Sequence, residues 1–514
     1  MKLRDYKHVL ILIILMGVVI RSYLLLSWGP VFIDTDGVYY SRLGKNLVEY
    51  GSYQYGEDYN QGIIFPPLYP ALIGLMNLLV GDLMLSGRII SFLAGVAAIP
   101  VFFLLGREVN GVESGLFSAF AYAVYPFIFR MSARVMSDSL FFFLFFSSVY
   151  VFILSSRRKD FYYTLLFGVS VSLAYLVRLE GVLLLSLPLF FAVDSEYRRT
   201  AYARKLVSVI LVFALLSSPY VLFLWGSTGS FKLSGKSMFN MIIGEHVLGR
   251  DYEGIVGSLN QDRSLLNMYD SNSRDSVMGH VLNDPRSFTR KYASNFSREL
   301  LYIFLLLMPL YPLIIHDYFS KTPSNNYRRI FLILTGMLLV SYPVFLVQMR
   351  HVYTQVLCII LYLSANFVTL PDSVRRIFPP LAAYAKPVII LLLLSSCLSD
   401  AMVSMPYYPE EQVKAGLFLK SRSTGYESFN VMARKAFISY YSGSRITNFP
   451  YASVSDVLYF ARKHGVDYLV VDERYMGSWS NYAELRDMGG HSSEVELVYN
   501  DSTIKDIRIY SLKD

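Results

Sequence analysis

The sequence predicts an α-helical polytopic membrane protein of about eleven transmembrane helices, followed by a small water-soluble α/β domain. Hydrophobic residues make up 54% of the 514 residues, and they are concentrated in long apolar runs. Charged residues, at 17%, are concentrated in the short joints between these runs. A bilayer imposes this pattern, because a spanning segment must satisfy its own backbone and keep charges away from lipid. The change in composition after about residue 404 predicts the second domain.

The apolar runs give the predicted spans in order. They are 9–28, 85–106, 112–130, 138–155, 161–178, 180–194, 205–226, 299–316, 329–348, 351–370 and 383–403. The first run lacks a small-x-small cleavage pattern, so we interpret it as a retained helix rather than a signal peptide. Both cysteines, Cys358 and Cys397, lie inside apolar runs, which leaves no disulfide framework.

The charges of the joints predict the orientation. Lysine and arginine recur in alternate joints, which the positive-inside rule places in the cytoplasm together with the N-terminus. The outer loops 29–84 and 227–298 and the tail then face outward, so the chain divides into a membrane domain, 1–404, and an extracytoplasmic domain, 405–514. The apolar segment Pro66–Gly81 is short and begins with prolines, and a full crossing would reverse every later joint. We therefore expect it to lie in the outer leaflet or dip into it.

The tail has the pattern of an α/β domain. Ser455–His464 is amphipathic at helical spacing, and strands are predicted at Val466–Asp472, Glu494–Tyr499 and Ile504–Leu512, with a turn at 500–502 between the last two. We interpret Asp467, Asp472 and Glu473 as a solvated strand end. The tail therefore carries no predicted catalytic group.

Ionisable side chains gather at the predicted outer ends of the helices. They are Asp34, Asp36, Arg130, Arg134, Asp138, Arg178, Glu180, Arg350 and His351. Charges near membrane depth are costly and therefore informative. Arginine clamps phosphate through two parallel hydrogen bonds, and a carboxylate acts as a general base or holds a divalent cation. The set predicts chemistry on a lipid-linked phosphate at the outer leaflet.

Each of these residues also has a structural interpretation. Arg178 with Glu180, and Arg350 with His351, suit interfacial anchors whose stems lie along apolar surface. Asp138, between two serines, suits a helix N-cap. Asp34 and Asp36 lie in a loop that is expected to be solvated, where aspartate is common. Position alone therefore leaves both interpretations open.

An ordered series of motifs links these residues. It comprises Asp34-Thr-Asp36-Gly-Val-Tyr-Tyr40, Pro66-Pro67-Leu68-Tyr69-Pro70, Gly81-Asp82 with Arg88, Gly106-Arg107, Tyr125-Pro126 with Arg134 and Ser137-Asp138, Leu176-Val-Arg-Leu-Glu-Gly-Val182, Leu233-Ser-Gly-Lys-Ser237 and Arg350-His351-Val352-Tyr353. With this series the chain resembles the GT-C membrane glycosyltransferases of the protein O-mannosyltransferase and aminoarabinose transferase superfamily. The resemblance covers nearly the whole chain and weakens in 240–300 and in the tail.

The resemblance implies a sugar donor on a polyprenyl phosphate at the outer face and an acidic base in the first outer loop. Asp36 matches the first acid of the family pattern, and Gly37 replaces the second, which leaves Asp34 to support the base. Some members carry a charged residue just before the proline-rich helix start, where this chain has Ile63-Ile64-Phe65. A divalent cation held by Asp36 and Asp138 is left open, and no organic cofactor is expected.

The expected reaction is direct displacement of polyprenyl phosphate by an acceptor hydroxyl, with inversion and an oxocarbenium-like transition state. Asp36 is the predicted base. The predicted phosphate-binding residues are Arg134, Arg350, Arg178 and Lys236, with Asp138, Glu180 and His351 in support. The acceptor is a hydroxyl of a protein, a lipid or a glycan, and no nucleic-acid partner is expected. The family's distribution favours a bacterial or archaeal cell membrane.

Three alternatives stay open from the sequence. A lipid-linked glycan flippase or transporter also has many spans, although transporters tend to show repeats and midplane charges. A glycan ligase or polymerase would transfer a whole glycan. A non-catalytic homologue fits the missing second acid. The sequons at Asn295 and Asn500 also predict glycosylation sites, although such short patterns occur by chance.

Overall fold

The computed structural model describes residues 5–29, 35–55, 61–158, 160–192, 199–237, 240–241, 259, 277–320, 325–402, 409–425, 427–488 and 493–513. Asp34, predicted to support the base, lies outside the described residues, as does most of the predicted outer loop between 242 and 276.

The membrane part is built from α-helices. These are α1 (Asp5–Ser27), α2 (Thr35–Tyr50), α3 (Leu68–Val80), α4 (Leu83–Val124), α5 (Ile128–Met131), α6 (Asp138–Arg158), α7 (Phe161–Tyr175), α8 (Leu187–Ala192), α9 (Arg199–Thr228), α10 (Val277–Asn283), α11 (Pro285–Leu306), α12 (Tyr311–Phe319), α13 (Asn326–Ser341), α14 (Tyr353–Ile377) and α15 (Ala385–Ala401). Short 3₁₀ segments are Gln61–Ile63, Leu179–Ser186, Met308–Leu310, Tyr342–Val344, Met349–Val352 and Pro379–Tyr384.

Among the described residues, seven helices are long and apolar enough to cross a membrane, and an eighth forms if the bent pair α11 and α12 is one span. The 42 residues of α4 contain two predicted spans, because Asn110 and Gly111 leave helical geometry between them. Nine of the predicted spans fall on these helices, whereas 161–178 and 180–194 fall on the shorter apolar helices Phe161–Tyr175 and Leu179–Leu189. The chain is a multi-pass membrane protein, and the total of eleven crossings stays a prediction.

The third predicted span extends too far. The helix stops at Val124, because Pro126 restricts the residue before it and Tyr125 is extended (φ −65°, ψ 127°). Residues 125–137 then form an irregular turn that contains α5. This turn brings Ser137 and Asp138 back to the start of α6.

Helix α2 packs against α3 through two glycines. A Cβ atom at Gly44 would overlap the carbonyl oxygen of Pro70, and one at Gly74 would overlap that of Gly44. The two backbones therefore touch directly. Helix α3 has 13 residues, which extend about 20 Å, and this is too short to cross a hydrocarbon core of about 30 Å.

The tail forms the predicted α/β domain. Its helices are α16 (Glu410–Ser421), α17 (Phe437–Ser442), α18 (Val454–Lys463), α19 (Glu473–Met476) and α20 (Tyr482–Arg486), and its strands are β1 (Asn430–Ala433), β2 (Arg445–Asn448), β3 (Tyr468–Asp472), β4 (Val495–Asp501) and β5 (Ile507–Leu512). The sheet order is β2-β1-β3-β5-β4, with β1 parallel to β2 and β3 and with β5 antiparallel to β3 and β4.

Two expectations for the tail are wrong. Strand β4 continues through Asp501, and the turn follows it, because the Asp501 carboxylate accepts the backbone N–H of Thr503 at 2.9 Å. Asp472 is buried rather than solvated, and it accepts the backbone N–H of Tyr475 at 2.8 Å. It therefore caps α19. The buried strands β1 and β2, with four residues each, were not predicted because they are too short to show a period.

Candidate active site

A cavity of about 340 Å³ lies where α2, the start of α6, the break after α7, the loop after α9 and the segment between α13 and α14 meet. Its polar lining comprises Asp36, Tyr40, Ser137, Asp138, Arg178, Glu180, Ser234, Lys236, Ser237, Asn240, Ser341, Tyr342, Arg350 and His351. The remaining lining is apolar, including Ile64, Phe65 and Leu346. Nine residues were predicted as the base, the phosphate ligands and their supporting residues. Seven of them therefore share one cavity: Asp36, Asp138, Arg178, Glu180, Lys236, Arg350 and His351.

Asp36 stands in the first turn of α2, where the helix dipole favours a carboxylate. The Arg350 guanidinium donates from Nη2 to Asp36 Oδ2 at 3.1 Å. Burial acts to raise the pKa of Asp36, but the charges of Arg350 and Lys236 outweigh it and hold the pKa below its ordinary value. The carboxylate is therefore ionised at neutral pH.

Arg178 binds two carboxylates. It donates from Nη1 to Asp138 Oδ1 and from Nη2 to Glu180 Oε1, both at 2.8 Å. Asp138 is fully buried, and its second oxygen, Oδ2, has no hydrogen-bond partner among the described residues. Helix α6 begins at Asp138 itself. Asp138 is thus the first helical residue and a partner of Arg178, rather than the N-cap that its flanking serines suggest.

The break after α7 explains how Arg178 reaches the cavity. The helix ends at Tyr175, and Arg178 is extended (φ −153°, ψ 143°). Gly181 lies directly against the backbone of Tyr175, where a Cβ atom would overlap the Tyr175 nitrogen. Glycine therefore lets the chain turn back on itself at this point. The backbone N–H of Leu68 also donates to Leu176 O at 3.0 Å, which ties the break to the start of α3.

Lys236 is placed by the loop that follows α9. Gly235 lies against the backbone of Ile63, and the Tyr175 hydroxyl donates to Leu233 O at 2.7 Å. The Lys236 ammonium lies 5.1 Å from the ring centroid of Phe65, within cation–π range. Burial lowers the pKa of Lys236, while Asp36 acts against this shift. No carboxylate of the described residues lies within ion-pair distance of Lys236.

His351 is held by the backbone of its own segment. Its Nδ1 lies 2.9 Å from Leu346 O and 3.3 Å from Gln348 N. Both neighbours belong to the irregular stretch between α13 and α14. His351 therefore stabilises the turn that presents Arg350 to the cavity.

Arg134, the first-ranked phosphate ligand of the sequence analysis, does not line the cavity. Its guanidinium lies 5.7 Å from the ring of Trp28. Arg130 is nearby, at 5.9 Å from the same ring, and forms an ion pair of 3.2 Å with Asp400. The structure thus divides the predicted arginines into two groups, and phosphate binding by Arg134 stays a prediction.

Sequence analysis missed the tyrosines of the site. The Tyr40 hydroxyl lies 3.2 Å from Ser137 Oγ, and Tyr342 lines the same cavity from the segment between α13 and α14. Tyr40 belongs to the first motif, but tyrosine is so abundant, with 41 residues in the chain, that the residue type carries no signal. The pair Tyr342-Pro343, which interrupts an apolar run, is the signal that marks the break.

The described residues do not fit a metal site. Asp36 and Asp138 are each held by an arginine, and no group of three histidine, cysteine, aspartate or glutamate side chains is placed to hold an ion in the described part of the chain. Divalent cations in proteins take several oxygen donors. We therefore derive no step that passes through a metal.

The family model for dolichyl-phosphate-mannose-protein mannosyltransferase matches residues 65–223. That range includes α3 to α7, the break with Arg178 and most of α9. A comparison with curated protein sequences gives no match.

Two solved membrane enzymes share the fold. The oligosaccharyltransferase of Archaeoglobus fulgidus in its apo form is 15% identical with a TM-score of 0.62, covering 94% of this chain and 71% of that one. The same enzyme, AglB, was solved with an inhibitory peptide and dolichol phosphate, at a TM-score of 0.57, 14% identity and coverages of 99% and 74%. Another of its structures contains zinc and sulfate.

ArnT from Cupriavidus metallidurans bound to undecaprenyl phosphate is 10% identical with a TM-score of 0.58, covering 97% of both chains. The resemblance to the GT-C membrane glycosyltransferases is thus confirmed at the level of the fold. At identities of 10–15%, the likeness shows the fold alone.

Proposed function

We propose that this protein is a glycosyltransferase that moves a sugar from a polyprenyl-phosphate donor to an acceptor hydroxyl at the outer membrane face. The observation that carries the proposal is the cavity itself, which joins Asp36 to Arg178, Lys236 and Arg350 from four separate parts of the chain. The match to the mannosyltransferase family and the polyprenyl phosphates bound by the two enzymes of similar fold support the donor class.

The three cations suit the leaving group. As the bond between the anomeric carbon and the phosphate oxygen breaks, negative charge grows on the polyprenyl phosphate. Cations placed in advance around that charge stabilise it without rearranging. Arg178 and Arg350 are the bidentate donors to the phosphate. Lys236 supplies a point charge that forms no ion pair with a carboxylate of the described residues.

Asp36 suits the base. The acceptor oxygen forms a bond to the anomeric carbon and loses its proton to the Asp36 carboxylate, while the electron pair of the broken bond leaves with the phosphate. In the structure Arg350 holds Asp36 in its charged form. A bound phosphate competes for Arg350, so donor binding makes the Asp36 carboxylate more basic when the acceptor arrives. Direct displacement of this kind inverts the anomeric centre.

The test is sugar transfer by purified protein in lipid nanodiscs, with a panel of polyprenyl-phosphate sugars and labelled acceptors. Asp36→Asn is expected to lose turnover by on the order of 10²–10⁴-fold, the range for removal of a general base. The matched control is Asp82→Asn. Asp82 accepts the backbone N–H of Leu85 at 2.8 Å as the N-cap of α4, and asparagine caps a helix equally well.

Full turnover by Asp36→Asn with a donor that wild type consumes would exclude Asp36 as the base. Transport of a labelled lipid across vesicles without sugar transfer would instead support a flippase. Consumption of none of the donors by folded wild-type protein would overturn the glycosyltransferase proposal.

A further inference from the structure

The C-terminal domain contacts the helix that carries Asp36. Arg42 of α2, only 4% exposed, forms an ion pair with Glu427 of the tail. It also donates from Nη1 to the backbone carbonyl of Ser444 at 3.0 Å. Its guanidinium lies 5.0 Å from the ring of Tyr55, whose hydroxyl lies 3.0 Å from Ser439 Oγ. The tail thus holds α2 and the chain just after it.

We propose that the C-terminal domain positions Asp36 by holding α2 through Arg42 and Glu427, so these two are positioning residues for sugar transfer. The inference rests on the proposed function, because it concerns the base of that reaction. It also assigns the tail a role, as a clamp on the catalytic helix.

The length of α2 between Gly44 and Asp36 determines how far a small rotation of the helix moves Asp36. Helix α2 touches the backbone of α3 at Gly44, eight residues after Asp36, which is about 12 Å along a helix axis. A rotation of about 5° about this contact moves Asp36 by about 1 Å over that length. Arg42 lies on the same side of Gly44 as Asp36, two residues or about 3 Å along the axis from Gly44. Displacement of a catalytic group by about 1 Å can cost on the order of 10²-fold in rate.

Glu427 combines a left-handed backbone with the ion pair to Arg42. Its backbone is left-handed (φ +57°), a conformation that costs a non-glycine residue, and its N–H donates to Gly443 O at 2.7 Å. The ion pair is itself weak evidence for stability, because the Glu427 side chain is 38% exposed and solvent screens the attraction. Glycine or asparagine would suit this backbone better. Glutamate supplies the carboxylate that reaches Arg42.

A positive charge of the tail also acts on the base. Lys435 follows β1, with its ammonium 5.7 Å from the ring of Tyr475. Burial acts to raise the pKa of Asp36, and the charge of Lys435 adds to the larger effects of Arg350 and Lys236 that lower it. Lys435 of the tail therefore lies within electrostatic reach of Asp36.

The test uses the full-length protein in nanodiscs and two substitutions at one position. Glu427→Asn removes the carboxylate and suits the left-handed backbone, so the thermal midpoint is expected to hold or rise. Its kcat is expected to fall by on the order of 10–10²-fold with an unchanged KM for the donor. Glu427→Gln keeps an acceptor for Arg42 and is expected to retain more activity. Asp487→Asn breaks exposed ion pairs in the same domain and serves as the control.

Hydrogen exchange of the α2 amides gives a readout that does not need turnover. Faster exchange across 35–50 in Glu427→Asn, with the control unchanged, supports the clamp. Wild-type kcat and wild-type exchange in Glu427→Asn overturn it. Absence of transfer by wild type overturns the proposed function, and the exchange rates then still decide whether the tail holds α2.

Discussion

Substitution of Arg178 is predicted to lower both the free energy of unfolding and the turnover, and a second substitution separates the two effects. Its guanidinium is 17% exposed and serves Asp138, whose side chain is 1% exposed. Arg178→Met removes the cation and leaves the Asp138 carboxylate buried. Loss of one partner of a buried ion pair costs about 3–5 kcal/mol. We expect about 3 kcal/mol, near the lower limit of that range, because partial exposure of the pair gives water access to the site.

The double variant Arg178→Met/Asp138→Asn removes the cation together with the fully buried carboxylate. It leaves only the Glu180 carboxylate without its arginine, and that side chain is 17% exposed and therefore open to water. The free energy of unfolding of the double variant is expected to return to within about 1 kcal/mol of wild type, because replacing both partners of a buried pair is often neutral. Its turnover is expected to stay reduced by on the order of 10²–10³-fold, the usual cost of removing one transition-state donor. The phosphate would still lack its bidentate partner.

Denaturant titration in micelles measures the first quantity, and transfer from the polyprenyl-phosphate donor measures the second. The control is Arg375→Met, which breaks a pair with Asp372 in which the two side chains are 68% and 74% exposed, and it is expected to cost less than about 1 kcal/mol. If the double variant regains both stability and turnover, Arg178 only neutralises Asp138, and its role at the phosphate is refuted.

Three further predictions concern other parts of the chain. Burial raises the pKa of Asp472 to about 6, so the folded state binds the proton more tightly than the unfolded state. The free energy of unfolding is therefore expected to fall by about 2 kcal/mol as pH rises from 4 to 7. Asp472→Asn, measured by hydrogen exchange of the tail, is expected to flatten this dependence, and an unchanged slope contradicts it. Gly44→Ala is expected to cost about 1–3 kcal/mol by overpacking against Pro70 and to lower kcat, and wild-type melting with wild-type kcat contradicts the proposed pivot. Asn295 is buried and donates to the carbonyls of Pro343 and Phe345, so mass spectrometry should find it unglycosylated, and a glycan there refutes its placement.

The sequon at Asn295 shows that a short motif does not report the contacts of its residues. Its three residues satisfy a motif that also occurs by chance, whereas the structure uses the amide to satisfy two carbonyls of the irregular segment before Arg350. Non-helical backbone at membrane depth needs such partners. Nothing within the tripeptide itself reports that need.

The position of each apolar helix along the chain follows from features that are local in sequence. Apolar runs and charged joints report directly on lipid and water, so nine of the predicted spans fall on helices long and apolar enough to cross a membrane. The same reasoning collected Asp36, Asp138, Arg178, Glu180 and Arg350 as one set. Local strand patterns also predicted β3 and β5 at nearly the observed bounds.

Which of these residues meet was decided by the tertiary structure. Asp36 and Arg350 are 314 positions apart in the chain, and their pairing depends on how α2 packs on α3 and on where the segment before α14 turns. Arg134, by contrast, lies beside Trp28, outside the cavity lining. The contact between Arg42 and Glu427 was likewise invisible in sequence. Hydropathy places a residue along the membrane normal, but only the packing of one helix against another sets its position in the plane.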